Sequence, residues 1–415
     1  MRYILCPNAT PLWGLEKFGE VSCLKCRECG KEYPVTIRYA CDDCFGPVDV
    51  VYNYDTLQIR KETIEKRPKN LWRYLELLPI RDESRIVSLG AGYTTLHRAH
   101  NLGRHLGLRN LYLKDDTVNP TYSFKDRPAS VAVSKALEFG AAVVGCASTG
   151  NLAGATAAHA AKADLPCYIF VPRDLEPNKM LQMAAYGAHI IAVNGTYDDA
   201  NRLATQAAEQ YNWALVNINI RPFYVEGSKT LAYEVCEQLD WTPPSRVIVP
   251  TASGALLCAI QKGFEEFYRL RLMKENHVKI CGAQPLGCSP IVAAFRNGTT
   301  EIAPVEHPDT IAKSLAIGDP ADGAYAVKAM KDTGGVAEAS SDDEIVDAMQ
   351  LLAKTEGIFS EPAGGVVVAV LRKLVNQGEI DPSETVVCYI TGNGLKTAEA
   401  FSTQTAHPIL AESKL

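Results

Sequence analysis

Two α/β lobes, each built on a parallel sheet flanked by helices, are the fold that this 415-residue sequence predicts. Three observations carry that expectation. Short β-branched runs alternate with helical stretches of ten to fourteen residues, the pattern of strands buried on both faces. There are more such runs than one comfortable sheet would use. Apolar residues make up 47% of the chain and charged residues 22%, enough for two cores beneath an ordinary polar surface.

The chain opens on an extension, residues 1–22, in which Pro7, Pro11, Gly14 and Gly19 interrupt any regular element. It lacks the basic-then-apolar order of a signal peptide, and no run of eighteen apolar residues follows, so a cytoplasmic protein is expected. A net charge of −6 provides no basic face, so neither nucleic acid nor a membrane is an expected partner.

Six of the thirteen cysteines fall in the first 44 residues. Cys26-x-x-Cys29 and Cys41-x-x-Cys44, separated by eleven residues, have the spacing of a zinc ribbon. Each pair sits on a turn followed by glycine, Gly30 or Gly46, so four thiolates can close a tetrahedron. Cys23 stands in the same relation to Cys26, which leaves a second register open; Gly30-Lys31 favours Cys26 with Cys29. Residues 23–49 hold too little apolar surface to fold alone, and a structural Zn2+ would supply that energy. A knob without its metal is the competing reading. Because knob and cofactor site share no residue, metal loss is expected to leave the cofactor in place. The seven remaining cysteines lie in apolar runs, as small buried hydrophobes of a reducing compartment do.

From about 50 to 80, dense Arg, Glu and Lys predict helix, ending in Leu71–Pro79. Strands are expected at Leu111–Lys114, Ala141–Cys146, Cys167–Val171, His189–Val193, Ala214–Ile218, Val247–Pro250, Val278–Ala283 and Val386–Thr391. Helices are expected at Pro128–Phe139, Leu152–Lys162, Asp199–Tyr211 and Ala255–Tyr268. The division that follows is a knob at 23–49, a large cofactor-binding lobe from 50–126 and 226–402, a small mobile lobe at 127–225 and a tail at 403–415.

Ligands in such folds bind beyond the carboxyl ends of strands, and two motifs sit there. Asn119-Pro120-Thr121-Tyr122-Ser123-Phe124-Lys125-Asp126-Arg127 places Lys125 between a turn and a helix start. Ser148-Thr149-Gly150-Asn151 follows a strand and opens the next helix, whose unpaired N–H groups suit a carboxylate or phosphate. A lysine able to form a Schiff base, followed by an anion-binding turn with an asparagine, is the equipment of a pyridoxal 5′-phosphate (PLP) enzyme. Either motif alone reads as a surface lysine near an ordinary cap.

From Cys26 to about Thr397 the chain resembles the threonine synthases, PLP enzymes of fold type II related to the tryptophan synthase β-subunit. The likeness is carried in order by Ser123–Arg127, Ala147–Leu152, Tyr197–Arg202, Val225–Thr230, Asp309–Leu315 with Gly318-Asp319-Pro320, Glu356–Phe359 and Thr391–Lys396. It implies the two-lobed fold-type-II architecture, a homodimer, and a lyase that converts a phosphorylated amino acid, O-phospho-L-homoserine, with water into L-threonine and phosphate. Lys125 would hold the cofactor and shuttle protons. Asn151 would hydrogen-bond the ring oxygen and Thr391 would face the pyridine nitrogen. Ser148 and Thr149 would meet substrate anions, with Tyr122, Ser123 and Arg221 also on the substrate side. Thr251-Ala252-Ser253-Gly254-Ala255, small residues between a strand and a helix, read as the cofactor-phosphate seat. Plainer readings compete: Asn151 as a helix cap, Thr391 as a strand end, Asp198-Asp199 as cap and first-turn charge. Arg202 and Arg221 also read as surface ion pairs, and Lys313 and Ser314 rank with them.

Three departures stand near the lysine. Where the family reads Gly-Glu-Gly-x-Thr-Pro-Leu, this chain has Gly90-Ala91-Gly92-Tyr93-Thr94-Thr95-Leu96, and Tyr122 replaces a glycine. Tyrosine resists backbone angles that glycine permits, so the changes predict an altered substrate side on a retained cofactor machine. On that reading the protein is a paralogue performing elimination or replacement on another activated amino acid. A non-catalytic regulatory homologue, with the ribbon as a partner-binding knob, is a third reading that intact Lys125 and Asn151 oppose.

Overall fold

The structure is a computed structural model that describes residues 21–401 except Thr149, Asp174 and Glu176. Residues 1–20 of the extension and the 403–415 tail therefore lie outside the described residues. The strands are β1 (Val21–Cys26), β2 (Glu32–Tyr33), β3 (Val48–Tyr52), β4 (Leu96–Arg98), β5 (Asn110–Asp115), β6 (Val144–Ala147) and β7 (Cys167–Pro172). They continue with β8 (His189–Val193), β9 (Ala214–Leu215), β10 (Arg246–Pro250), β11 (Lys279–Pro285), β12 (Ala337–Ser340) and β13 (Thr385–Ile390).

They form three sheets, ordered β2-β1-β3, β12-β11-β10-β13-β5-β4 and β8-β7-β6-β9. The first is the antiparallel sheet of the cysteine knob. The six-stranded sheet is parallel except where β4 pairs with β5, and the four-stranded sheet is parallel throughout. Period-two alternation explains why β10 and β13 carry no polar face. Val247 and Val249 of β10 and Val387 and Tyr389 of β13 join one core with Leu257, Ile260 and Phe264 of the Ala255–Arg269 helix. Ile248, Cys388 and Ile390 point the other way, into a core with Val366–Leu371 of the Pro362–Asn376 helix. A third core joins Leu24, Val48 and Val50 of the knob to Phe223, Tyr224 and the small sheet's Val144 and Ile169.

The expectation of helix over residues 50–80 is corrected. β3 runs to Tyr52, only Lys61–Glu65 is α-helical, and Leu71–Leu77 is a kinked 3-10 segment buried along its whole length. Its charges do not face solvent: Arg67 binds Glu76 at 2.7 Å and Arg73 binds Glu237 at 2.7 Å. Ala214–Ile218 pairs only over Ala214–Leu215. β4 and β12 were not expected; β12 reads Ala-Glu-Ala-Ser, without the β-branched residues that mark a strand, and is a sheet edge paired to β11.

The Asp126–Glu138 helix is held at its first turn by charge. Arg127 is fully buried; its Nε and Nη2 donate to Asp116 at 2.6 and 2.8 Å, and Nη1 donates to Thr230 at 3.0 Å. Glu234 accepts from Arg127 Nη2 at 2.9 Å and pairs with Lys114 at 2.7 Å. Two cations thus face two carboxylates. Burial alone would raise the Glu234 carboxyl, but Arg127 and Lys114 bring it down to about 2.

Glu234→Gln, which leaves two buried cations facing one carboxylate, should destabilise the fold by about 3–5 kcal/mol, read as a lower urea midpoint at unchanged slope. In the wild type the depressed carboxyl stabilises the fold above its unfolded value of 4.5, and that stabilisation should fade as pH falls towards 2. An unchanged midpoint at neutral pH would show that the network is dispensable.

Candidate active site

The segment before Lys125 is laced to the chain that follows β13. Phe124 N–H donates to the Thr391 carbonyl at 2.9 Å, Asn393 N–H to the Tyr122 carbonyl at 3.0 Å, and Ser123 forms a bridge with Gly392. Lys396 Nζ donates to the Thr121 carbonyl at 2.8 Å, while the Thr121 N–H and hydroxyl both donate to Asp126. Lys125 itself stands just ahead of the helix, half-buried. Its amine donates to the Tyr224 hydroxyl at 2.9 Å and lies 4.5 Å from the centre of the Phe124 ring.

Gly150, not Asn151, caps the Asn151–Lys162 helix, so the Asn151 amide is free for a partner elsewhere in the fold. It donates to the Glu361 carboxylate, 3.1 and 2.9 Å from its two oxygens. Glu361 is buried at the start of the Pro362–Asn376 helix and its N–H donates to the Gly392 carbonyl. A Cβ on Gly392 would lie 2.4 Å from that carboxyl group, so the close approach requires glycine. Burial raises the Glu361 carboxyl, opposed by Asn151, Lys396 and Lys125. The hydroxyls of Ser123 and Ser360 are buried here without a hydrogen-bond partner. Pattern alone singled out neither Glu361 nor Tyr224. Their signals were Glu361-Pro362 and Arg221-Pro222, each a proline opening a helix.

Thr251 follows β10 and Gly254 caps the Ala255–Arg269 helix at φ +93°. A Cβ there would meet the Asp322 carbonyl at 2.6 Å. The Asp322 N–H donates to the Ser253 carbonyl at 2.9 Å. Among the described residues the N–H groups of Ala252, Ser253 and Gly254 donate to no backbone carbonyl. Three open donors at the start of a fifteen-residue helix fit a phosphate.

Other candidates fall less centrally. Ser148 accepts from the Gly150 N–H at 3.3 Å, and Thr149 lies outside the described residues. Arg221 is paired with Asp322. Asp199 completes a capping box with Thr196 and takes Arg202 at 3.0 Å; Lys313 and Ser314 are exposed.

Two departures take on a different meaning. Ala91 is buried among Leu71, Trp72, Leu75 and Val131, a core position and not a pocket wall. Tyr122 adopts φ +65°, the left-handed angle it was expected to resist, held by its N–H to the Asn119 carbonyl at 2.7 Å. Its ring is half exposed.

In the knob, the sulfurs of Cys26, Cys29, Cys41 and Cys44 all lie within 4.8 Å of one another, and Cys23 is outside the group. Cys26 and Cys44 approach to 3.5 Å and Cys29 and Cys41 to 3.6 Å. The Tyr33 hydroxyl, 3.0 Å from Cys41, is the main cause that brings that thiol down to about 6. Four converging thiols of this kind suit a tetrahedral metal.

Residues 87–392 match the model of the family described as pyridoxal-phosphate dependent enzyme. The chain is 43% identical over 392 residues to the threonine synthase of Methanocaldococcus jannaschii, covering 94% of this chain and 96% of that protein. It is 38% identical to that of Methanosarcina acetivorans, with the same coverage of both. Among solved structures, threonine deaminase isoform 2 from Solanum lycopersicum superposes with a TM-score of 0.64 at 21% identity, over 75% of this chain and 83% of that one. Diaminopropionate ammonia lyase from Escherichia coli gives 0.64 at 18%, over 77% and 89%. Both are likenesses of fold.

Tyr122→Gly should leave stability within about 1 kcal/mol of wild type, because relief of the left-handed angle is offset by glycine's entropy. Tyr122→Val should cost about 1–3 kcal/mol more. Urea unfolding of both variants checks this, and equal stabilities would show that the angle is unstrained.

Proposed function

We propose that this chain, which belongs to the pyridoxal-phosphate dependent enzyme family and within it to the threonine synthases, converts O-phospho-L-homoserine and water into L-threonine and phosphate. The observation that carries the reading is 43% identity to a threonine synthase over nearly the whole length of both chains. It is a carbon–oxygen lyase acting on a phosphorylated amino acid.

Bound PLP acidifies the hydrogens on the substrate's Cα and Cβ by withdrawing electrons from them. The chain's own groups do the rest. Lys125 holds the cofactor and, once released, moves protons at Cα and Cβ; the Tyr224 hydroxyl keeps its amine at one place. Asn151 and Thr391 orient the ring, with Glu361 beneath Asn151. The N–H groups of Ala252, Ser253 and Gly254, between Thr251 and Ala255, hold the cofactor phosphate. Ser148, Thr149 and Ser123 serve the substrate side, where phosphate leaves from Cγ and water adds at Cβ; Arg221, paired with Asp322, and the solvent-facing ring of Tyr122 take no part in this reading. Ala91 in the core and a glycine-like backbone at Tyr122 weigh against an altered substrate.

Four thiolates, Cys26, Cys29, Cys41 and Cys44, hold a structural Zn2+, supported by their convergence. The lobes divide near Asp126 and Val225, which separates the two sheets. The working unit is a homodimer of the cytoplasm without nucleic-acid or membrane partners; buried free thiols such as Cys146 and Cys388 support a reducing compartment. Among the described residues no helix is long and apolar enough to cross a membrane.

The purified protein should be yellow and release phosphate from O-phospho-L-homoserine. O-phospho-L-serine, which carries its phosphate on Cβ and has no Cγ to lose it from, cannot follow the same course and should release phosphate with a kcat/KM lower by at least about 10–200-fold. Lys125→Ala should lose both the visible band and turnover. Equal rates on the two substrates would favour the paralogue, and full activity in Lys125→Ala would sink the assignment.

A further inference from the structure

Arg27 lies inside the first Cys-x-x-Cys knuckle, between Cys26 and Cys29, and its side chain reaches beyond the knob to Asp322. The backbone there is fixed by the turn: Arg27 N–H donates to the Pro47 carbonyl at 3.0 Å and Gly30 N–H to the Cys26 carbonyl at 3.1 Å. The guanidinium grips Asp49 with two nitrogens, at 2.6 and 2.8 Å, and spends its third on Asp322 at 2.9 Å. Asp322 is almost wholly buried, and its second oxygen takes Arg221. A second contact follows from the same knuckle: the Tyr325 hydroxyl donates to Glu28, and Arg27 lies 4.7 Å over the Tyr325 ring.

Asp322 is also the residue against which the Thr251–Ala255 turn is built. Its N–H holds the Ser253 carbonyl, and its own carbonyl stands where only a glycine at position 254 leaves room. Its side chain therefore answers to the knob while its backbone shapes the turn. The ion pair is not of the weak surface kind, since both partners are largely shielded. A planar fork shared between two carboxylates fixes direction as well as charge.

We propose that the thiolate knob clamps the cofactor-phosphate seat, with Arg27 as the positioning residue that transmits its geometry through Asp322. This rests on the reading of Thr251–Ala255 as the phosphate seat. It departs from the expectation that metal loss leaves the cofactor untouched: knob and site share no residue, but they share Asp322 as a neighbour. Anion-binding N–H groups lose their fit when displaced by fractions of an ångström, so a loosened knob weakens phosphate binding in particular.

The full-length protein, stripped of cofactor, is titrated with PLP and with pyridoxal, which lacks the phosphate, by the visible band of the bound aldehyde. Arg27→Ala should weaken PLP by about tenfold or more, the range over which groups that orient a binding shell act, and leave pyridoxal within about twofold. Zinc removal from the wild type should reproduce that pattern. Should Arg27→Ala fail to accumulate, Arg27→Lys, which keeps the charge and loses the fork, is measured the same way. Unchanged PLP affinity, or equal loss of both ligands, would overturn the clamp. Gly254→Ala tests the seat separately: it should weaken PLP far more than pyridoxal, and if it does not, the seat reading fails whatever Arg27 does.

Discussion

A guanidinium buried two residues beyond Lys125 constrains this molecule more than any other group. Removing Arg127 from water costs several kcal/mol, and Asp116 and Glu234 offset that cost only when they stand on its two sides. Apolar packing of the same volume would give equal or better stability. What the charges contribute is position. Arg127 belongs to the helix that Lys125 precedes, Asp116 follows β5, and Glu234 lies on the Thr230–Gln238 helix. One arrangement satisfies all three, so Lys125 is placed relative to the large sheet by the fold itself.

The other face of the site is set by backbone. The chain after β13 accepts and donates to residues 122 and 124, and Glu361 closes against Gly392. The charges there are balanced and shielded. Burial pushes Asp126 up to about 6 and lowers Lys396, while Lys396 in turn opposes the rise of Asp126 and Glu361. Each of these groups opposes the shift that burial imposes on the others, so Lys396, in the 3-10 segment Gly394–Phe401, cannot be read as a solvated surface lysine.

Legibility followed the physics of burial. Strands covered on both faces must be apolar throughout, which is why β10 and β13 could be read to within a residue or two. The four thiols were legible because metal spacing is local. Residues 50–80 misled because Arg and Glu are taken as solvated, whereas Arg67, Arg73 and Glu76 are partners to one another or to Glu237 inside the protein. β12 was lost because an edge strand needs hydrogen bonds and not bulk. Arg27, Asp322 and Glu361 were beyond reach for a common reason: each acts across long separations in sequence, on partners that only the folded chain brings near.

Tyr122 shows how far residue type can drift while geometry persists. The position calls for a left-handed angle because Asn119 and Asn393 hydrogen-bond to its two backbone groups, which fixes the turn ahead of Lys125. Glycine meets that demand without strain, whereas an L-residue pays about 1–2 kcal/mol. The surrounding bonds, the Phe124–Thr391 contact and the buried anchor at Arg127 together exceed that cost, so the tyrosine is forced into the angle and its ring is left towards solvent. The departure therefore tests the scaffold and not the chemistry: the turn is imposed by its neighbours, and the lysine keeps its place whichever residue stands before Ser123.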